Sequence, residues 1–202
     1  MTGTDARPAR AESFATRRQE ALFEQLLTMF LAQGFAQVSM ADLAARLHCS
    51  KSTLYALAES KEQLVTRTVT HFFRAATEHV EEQVRHAPTA RDGVITYLVA
   101  VGTELSPASE AFMVDLHAFA PTRDLYQRNT AAAARRVREL IDAGVAAGEF
   151  RDVDAGFAAD LAATMMSRIQ RREVAATTGI DDASAYRALA SILTAGIDRP
   201  AT

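Results

Sequence analysis

Ser39-Met-Ala-Asp-Leu-Ala-Ala-Arg-Leu-His-Cys-Ser-Lys-Ser-Thr-Leu-Tyr-Ala-Leu-Ala-Glu-Ser-Lys-Glu-Gln-Leu64 decides the reading of this chain. Ser39 is a good N-cap, and Asp42 falls in the first turn, where a carboxylate meets the positive end of the helix dipole. Leu43 and Leu47 share a face at i, i+4. His48-Cys49-Ser50 interrupts that pattern. Ser50 can cap a second short helix whose apolar side is Leu54, Leu57 and Ala58. Short helices joined by so brief a turn have helix-turn-helix proportions. Ser60-Lys-Glu-Gln63 opens a third helix as a capping box, with Gln63 expected to reach back to the cap.

At about 100° per residue, Leu54, Leu57 and Ala58 point one way and Ser52 and Ala56 the other. Lys51 and Tyr55 lie on one flank of that outer face and Thr53 on the other. The face is short, polar and cationic at its N-terminal end, the shape of a recognition helix that enters a major groove by its first residues. Lysine donates to guanine edges or phosphate, serine and threonine bond either, and tyrosine packs and donates at once. Lys51 and Lys61, the only lysines of the chain, both begin such helices. Lys61 and Ser39, at capped helix starts, suit phosphate contacts.

These residues, preceded by an amphipathic helix ending at Gly34-Phe35, resemble the DNA-binding domain of the TetR family of transcriptional regulators. The resemblance rests on Leu43-Ala44, on Ser50-Lys51-Ser52-Thr53-Leu54-Tyr55 and on Ser60-Lys61-Glu62-Gln63-Leu64. It implies an all-α protein with an N-terminal three-helix DNA-binding head and a helical regulatory and dimerisation body. It also implies a homodimer paired through its last two helices, a double-stranded DNA operator and a small-molecule effector. Ser39, Lys51, Ser52, Thr53, Tyr55 and Lys61 are the expected DNA-binding residues. Ala56, Leu57 and Ala58 depart from the family, which usually has an aromatic residue or histidine after the tyrosine and then a core phenylalanine.

Composition agrees with an all-helical chain. Of the 202 residues 49% are apolar, tryptophan is absent, and Gly and Pro are few. The abundance of alanine favours helix over strand. Net charge is −3, but residues 1–74 hold nine Lys/Arg against seven Asp/Glu, and the remainder thirteen against eighteen. A head less acidic than its body fits DNA at one end. Cys49 stands alone, so no disulfide framework is expected. No apolar run has the length of a membrane span and no signal-peptide core opens the chain, so a cytoplasmic protein without a membrane partner is expected.

Outward from the motif, 1–12 reads as a flexible basic arm, 13–60 as the head, 61–85 as a connecting helix and 61–202 as the body, with about nine helices in all. Leu22, Phe23, Leu26, Met29 and Phe30 stripe the first helix, and Phe35 and Val38 plug the head's core. Pro88 and Thr89 separate the next pair of helices. Ser106-Pro107 reads as a cap with proline at the first helical position, and Pro121 as the end of that helix. One helix then covers 122–147, another runs from Asp154 to a break at Thr177-Thr178-Gly179, and Asp181 or Asp182 opens the last.

Phe72, Tyr97, Phe112, Met113, Leu116 and His117 have two readings, plain core or the lining of an effector cavity. Asp115 and His117 are the nearest polar anchors, so the expected effector is small and mainly hydrophobic. Leu161, Met165, Leu189 and Leu193 are the candidate dimer seam. Cys49 reads as a packing thiol, or as a redox switch if exposed in an electropositive site. No Cys/His spacing suits a metal, and no phosphate loop, nucleophile elbow or carboxylate pair suggests catalysis; no cofactor is expected. The resulting expectation is a ligand-responsive transcriptional regulator, a repressor released from a near-palindromic operator, and not an enzyme. The alternative is a helical ligand-binding or interaction protein with a vestigial head.

Overall fold

Polar caps set most of the helix starts. In the computed structural model, which describes the backbone of residues 7–199 and the side chains of 19–199, Ser39, Ser50, Ser60, Thr89, Ser109, Asp154 and Asp181 each accept a hydrogen bond from a backbone N–H of the helix they open. Such a cap satisfies one of the N–H groups that an α-helix leaves without an internal partner. Among the described residues the chain is all-helical: α1 (Arg7–Gln33), α2 (Met40–Arg46), α3 (Lys51–Leu57), α4 (Lys61–Arg85), α5 (Ala90–Leu105), α6 (Glu110–Ala118), α7 (Ala120–Ala146), α8 (Ala155–Gln170), α9 (Glu173–Thr178) and α10 (Asp182–Ile197).

Four boundaries differ from the sequence expectation. The expected arm lies outside the described residues over 1–6, and α1 already begins at Arg7. Ser106-Pro107 is not the cap of α6. Ser109 is, because its hydroxyl takes the Phe112 N–H while its own N–H donates to Leu31 O at 2.8 Å, tying this start to α1. Pro121 does not end α6 but sits in the first turn of α7, and Phe119 serves as the last cap of one helix and the first of the next. Finally, the expected single helix after Asp154 is broken where Arg172 takes a left-handed conformation, φ 61°. No glycine or proline marks that break, so ten helices replace about nine.

Packing forms two apolar clusters. In the first, Leu26, Phe30, Leu43 and Leu54 of the head meet Leu64, Val69 and Phe72 of α4 and Phe112 and Leu116 of α6. Phe35 and Val38 fill it as expected, and Phe35 packs edge-on to Phe112 with ring centroids 6.0 Å apart. The second cluster holds Val94, Leu98, Val137, Ile141, Met166 and Tyr186, where α10 packs on α5 and α7 on α8. The helices supply apolar stripes at the 3.6-residue period, and most of their stability comes from burying those stripes.

Candidate DNA-binding head and effector cavity

The head presents α3 as expected. Leu54 and Leu57 are buried, while Lys51, Ser52, Tyr55 and Ala56 face water and Thr53 is half-buried. Tyr55 leaves 51% of its surface exposed. The Ser50 hydroxyl lies 2.7 Å from Ser52 Oγ and 2.8 Å from Thr53 Oγ1, so these hydroxyls form one rotatable cluster at the helix start. His48 closes the turn in a left-handed conformation, φ 50°. Cys49 is partly buried against the first cluster, the position of a packing thiol.

Ser39 and Lys61 already have tasks inside the head. Ser39 forms a complete capping box: its hydroxyl accepts from Asp42 N at 3.2 Å, and Asp42 Oδ2 accepts from Ser39 N at 2.9 Å. The Ser39 hydroxyl and then its N–H hold the exposed Asp42 carboxyl below the ordinary aspartate range, so this cap persists at neutral pH and loosens only in acid. Lys61 Nζ donates to Ala36 O at 2.7 Å, its one hydrogen bond among the described residues. The Ser60 box is only half of the expected one, because Gln63 Oε1 accepts from Glu59 N instead of from the cap residue.

The turn between α1 and α2 is also gripped from the body. Asp115 Oδ2, on α6, accepts from Phe35 N at 2.6 Å and from Ala36 N at 2.7 Å. Successive backbone N–H groups make a concave nest for an anion. Gly34 sits at φ 76°, and a Cβ there would collide with Asp115 Oδ2. The left-handed turn and the close carboxylate therefore both require glycine. The Asp115 carboxylate thus holds the head's first turn.

One cavity is walled mostly by residues other than those the sequence singled out. About 280 Å³ opens between α4, α5, α7 and α8, walled by Phe73, Val80, Tyr97, Val101, Tyr126 and Met166. Glu81, Arg136 and Glu139 also line it, with Arg136 Nε donating to Glu81 at 2.9 Å. Of the expected ligand residues, only Tyr97 lines this space. Burial pushes its phenol up to about 12, and Glu81 adds to the effect. Phe72, Phe112 and Leu116 are packed into the first cluster. Met113 and His117 face an outer groove beside Arg171 and Arg172. There His117 stacks edge-on against Tyr126 at 4.7 Å, and its Nε2 has no partner among the described residues. Tyr126 donates to Gln170 Oε1, and Gln170 Nε2 donates to Tyr186 at 2.8 Å, a buried polar chain at the cavity wall. The stripe on each helix was readable, but which stripes face one another was not.

The expected seam is split. Leu161 is 51% exposed, and Met165 and Leu189 are half-buried. Leu193 instead turns inward and is buried in the second cluster, because α10 packs that face on α5. Phe157 and Ile192, 71% and 73% exposed, carry the outer apolar faces of α8 and α10. Among the described residues there is no helix long and apolar enough to cross a membrane.

Residues 22–68 match the family model described as bacterial regulatory proteins, tetR family. No curated protein matches the chain by sequence. In fold it is similar to a transcriptional regulator from Saccharomonospora viridis in complex with choline, at 16% identity and TM-score 0.77, covering 92% of this chain and 100% of that one. A TetR transcriptional regulator from Chloroflexus aurantiacus aligns at 20% identity and TM-score 0.75, covering 93% and 100%. The TetR family transcriptional regulator PfmR from Thermus thermophilus aligns at 20% identity and TM-score 0.66, covering 88% and 99%.

Proposed function

We propose that this chain, with a TetR-family transcriptional-regulator fold and a tetR-family match over its head, is a ligand-responsive repressor. It binds a near-palindromic operator as a homodimer and leaves it when a small, mainly apolar effector occupies the body. The observation that carries this reading is the outer face of α3, where Lys51, Ser52 and Tyr55 stand exposed above a buried Leu54 and Leu57. The sequence match and the cap geometry meet at that surface. An effector that favours one head spacing shifts the population of DNA-competent dimers by its differential affinity for the two states.

Duplexes selected from a random pool, followed by gel shift, supply the operator. Lys51→Ala should weaken it by about 1–3 kcal/mol, roughly 5- to 150-fold, and relax the preference at one base pair. Lys61→Ala should weaken all sequences alike and reduce the salt slope by about one unit. A Lys61→Ala protein with altered base preference, or a selection that enriches no duplex, contradicts this assignment.

The dimer is supported by the exposed apolar faces of α8 and α10. Phe157, Leu161 and Met165 recur at i, i+4, i+8, and Leu189 and Ile192 at i, i+3. An isologous contact between such faces buries both copies at once. The double variant Leu161→Asp, Ile192→Asp should sediment as a monomer with its helicity retained, since neither side chain is needed by the isolated fold and an unpaired buried charge is prohibitive at a seam. Dimers persisting at micromolar concentration would move the interface elsewhere.

A further inference from the structure

The cavity has a polar composition that an apolar effector leaves unused. Tyr97, Val101 and Glu104 line it at i, i+4, i+7 of α5, one stripe facing the space. Tyr97 is only 6% exposed and is the one phenol on that stripe. At the far end of the stripe the Glu104 side chain is 23% exposed, and its one charged neighbour among the described residues is His79 Nδ1 at 3.5 Å. That histidine is itself largely in water, so the pair is screened and compensates Glu104 weakly.

The remaining charges of the lining are settled differently. Glu81 and Glu139 both accept from Arg136, at 2.9 Å and 3.2 Å, so these carboxylates consume one guanidinium between them. Arg135 also borders the cavity but is exposed, where water screens its charge. Phe73, Val80, Val101 and Met166 supply the apolar part of the wall. A half-buried carboxylate beside apolar and aromatic walls binds a protonated nitrogen more strongly than it could in water.

We propose that the effector of this cavity is a small organic amine, protonated at neutral pH, with an apolar body. Its ammonium sits on Glu104 and its body lies along Val101 and Phe73 toward the Tyr97 hydroxyl. This rests on the regulator reading for its biological meaning, but not for its chemistry. Glu104 is then the residue that selects the amine, and Tyr97 rewards a hydrogen-bonding group at the ligand's other end.

The test titrates the full-length protein calorimetrically with an isosteric set: phenylbutylamine, phenylbutanol and phenylbutyrate. The amine should bind about tenfold or more tighter than the alcohol, the gain expected of a charge-assisted contact, and the carboxylate should bind least. Glu104→Gln, checked for an unchanged helical spectrum and melting profile, should bring amine and alcohol to near-equal affinity. Tyr97→Phe should keep the amine preference. Tightest binding of phenylbutyrate would assign the cavity to Arg135 and overturn the proposal. So would an amine preference that survives Glu104→Gln, or no binding of the amine at millimolar concentration. Gel shifts with the selected operator separate the two claims. Amine binding without any DNA binding keeps this proposal and refutes the regulator; DNA binding without amine binding does the reverse.

Discussion

Asp115→Ala should free the turn between α1 and α2 from the body. The carboxylate holds Phe35 N and Ala36 N at 2.6 and 2.7 Å. Hydrogen bonds to a charged acceptor contribute about 1.5–3 kcal/mol each. Ala36 is exposed and regains water, so the net local loss is nearer about 2 kcal/mol, carried mostly by the half-buried Phe35 amide. A change of that size raises the exchange rate of the Phe35 and Ala36 amides by roughly 30-fold. Amides in α10, distant from the turn, should be unaffected. Asp115→Asn keeps an acceptor without the charge and should fall between. The functional counterpart is coupling. Because α6 grips the turn that leads into α2, a displacement of α6 would reach α3 through the head's own packing, and on the proposed regulator reading operator affinity in the alanine variant should respond less to any cavity ligand. Unchanged exchange at Phe35 and Ala36 would show that the carboxylate does not hold this turn.

Phe112→Ala should be the most destabilising single change considered. Its ring is fully buried and lies 6.0 Å from Phe35 and 6.1 Å from Phe72. One side chain therefore joins the head's turn, the connecting helix and α6. Truncating a buried phenylalanine costs about 3–5 kcal/mol through lost transfer energy and the void left behind, a large part of the roughly 5–15 kcal/mol that holds a domain folded. Urea unfolding at fixed protein concentration reads the loss. The variant also distinguishes packing from ligand lining: a cavity-wall phenylalanine would alter amine affinity with little change in stability, whereas Phe112 should do the opposite. A loss under about 1 kcal/mol would remove Phe112 from the core.

Much of the head was legible because its signals are local. A serine three residues ahead of a free N–H, followed by leucines at helical spacing, announces itself without knowledge of the rest of the chain. Ser39, Ser50 and Ser60 are of this kind. The start of α6 was not, because Ser106 and Ser109 carry the same local signal and only a hydrogen bond to Leu31, far away in sequence, selects between them. Arg172 breaks a helix with no residue that favours the left-handed region. Leu193 and Ile192 are neighbours about 100° apart on α10, and nothing within that helix says which one meets α5. The place of this cavity was hidden for the same reason. Phe112, Leu116 and Tyr97 all sit on apolar stripes, but a cavity is made where facing stripes leave a gap. Glu104, a glutamate near a helix end, gave no signal until α4 and α7 were placed around it.

The first cluster runs across residue 60 without interruption, since Leu64, Val69, Phe72 and Phe112 fill the same space as Leu26, Leu43 and Leu54. Moving the proposed DNA-reading surface of α3 onto another protein therefore cannot be done by cutting at the capped start of α4. An excised head would expose the leucines that α4 and α6 now cover and would lose the carboxylate that steadies its first turn. A chimera has two workable forms. One moves α1 to α4 together with α6, so that both walls of the cluster travel with it. The other leaves every buried residue in place and exchanges only Lys51, Ser52, Tyr55 and Ala56, the side chains that the fold turns toward solvent.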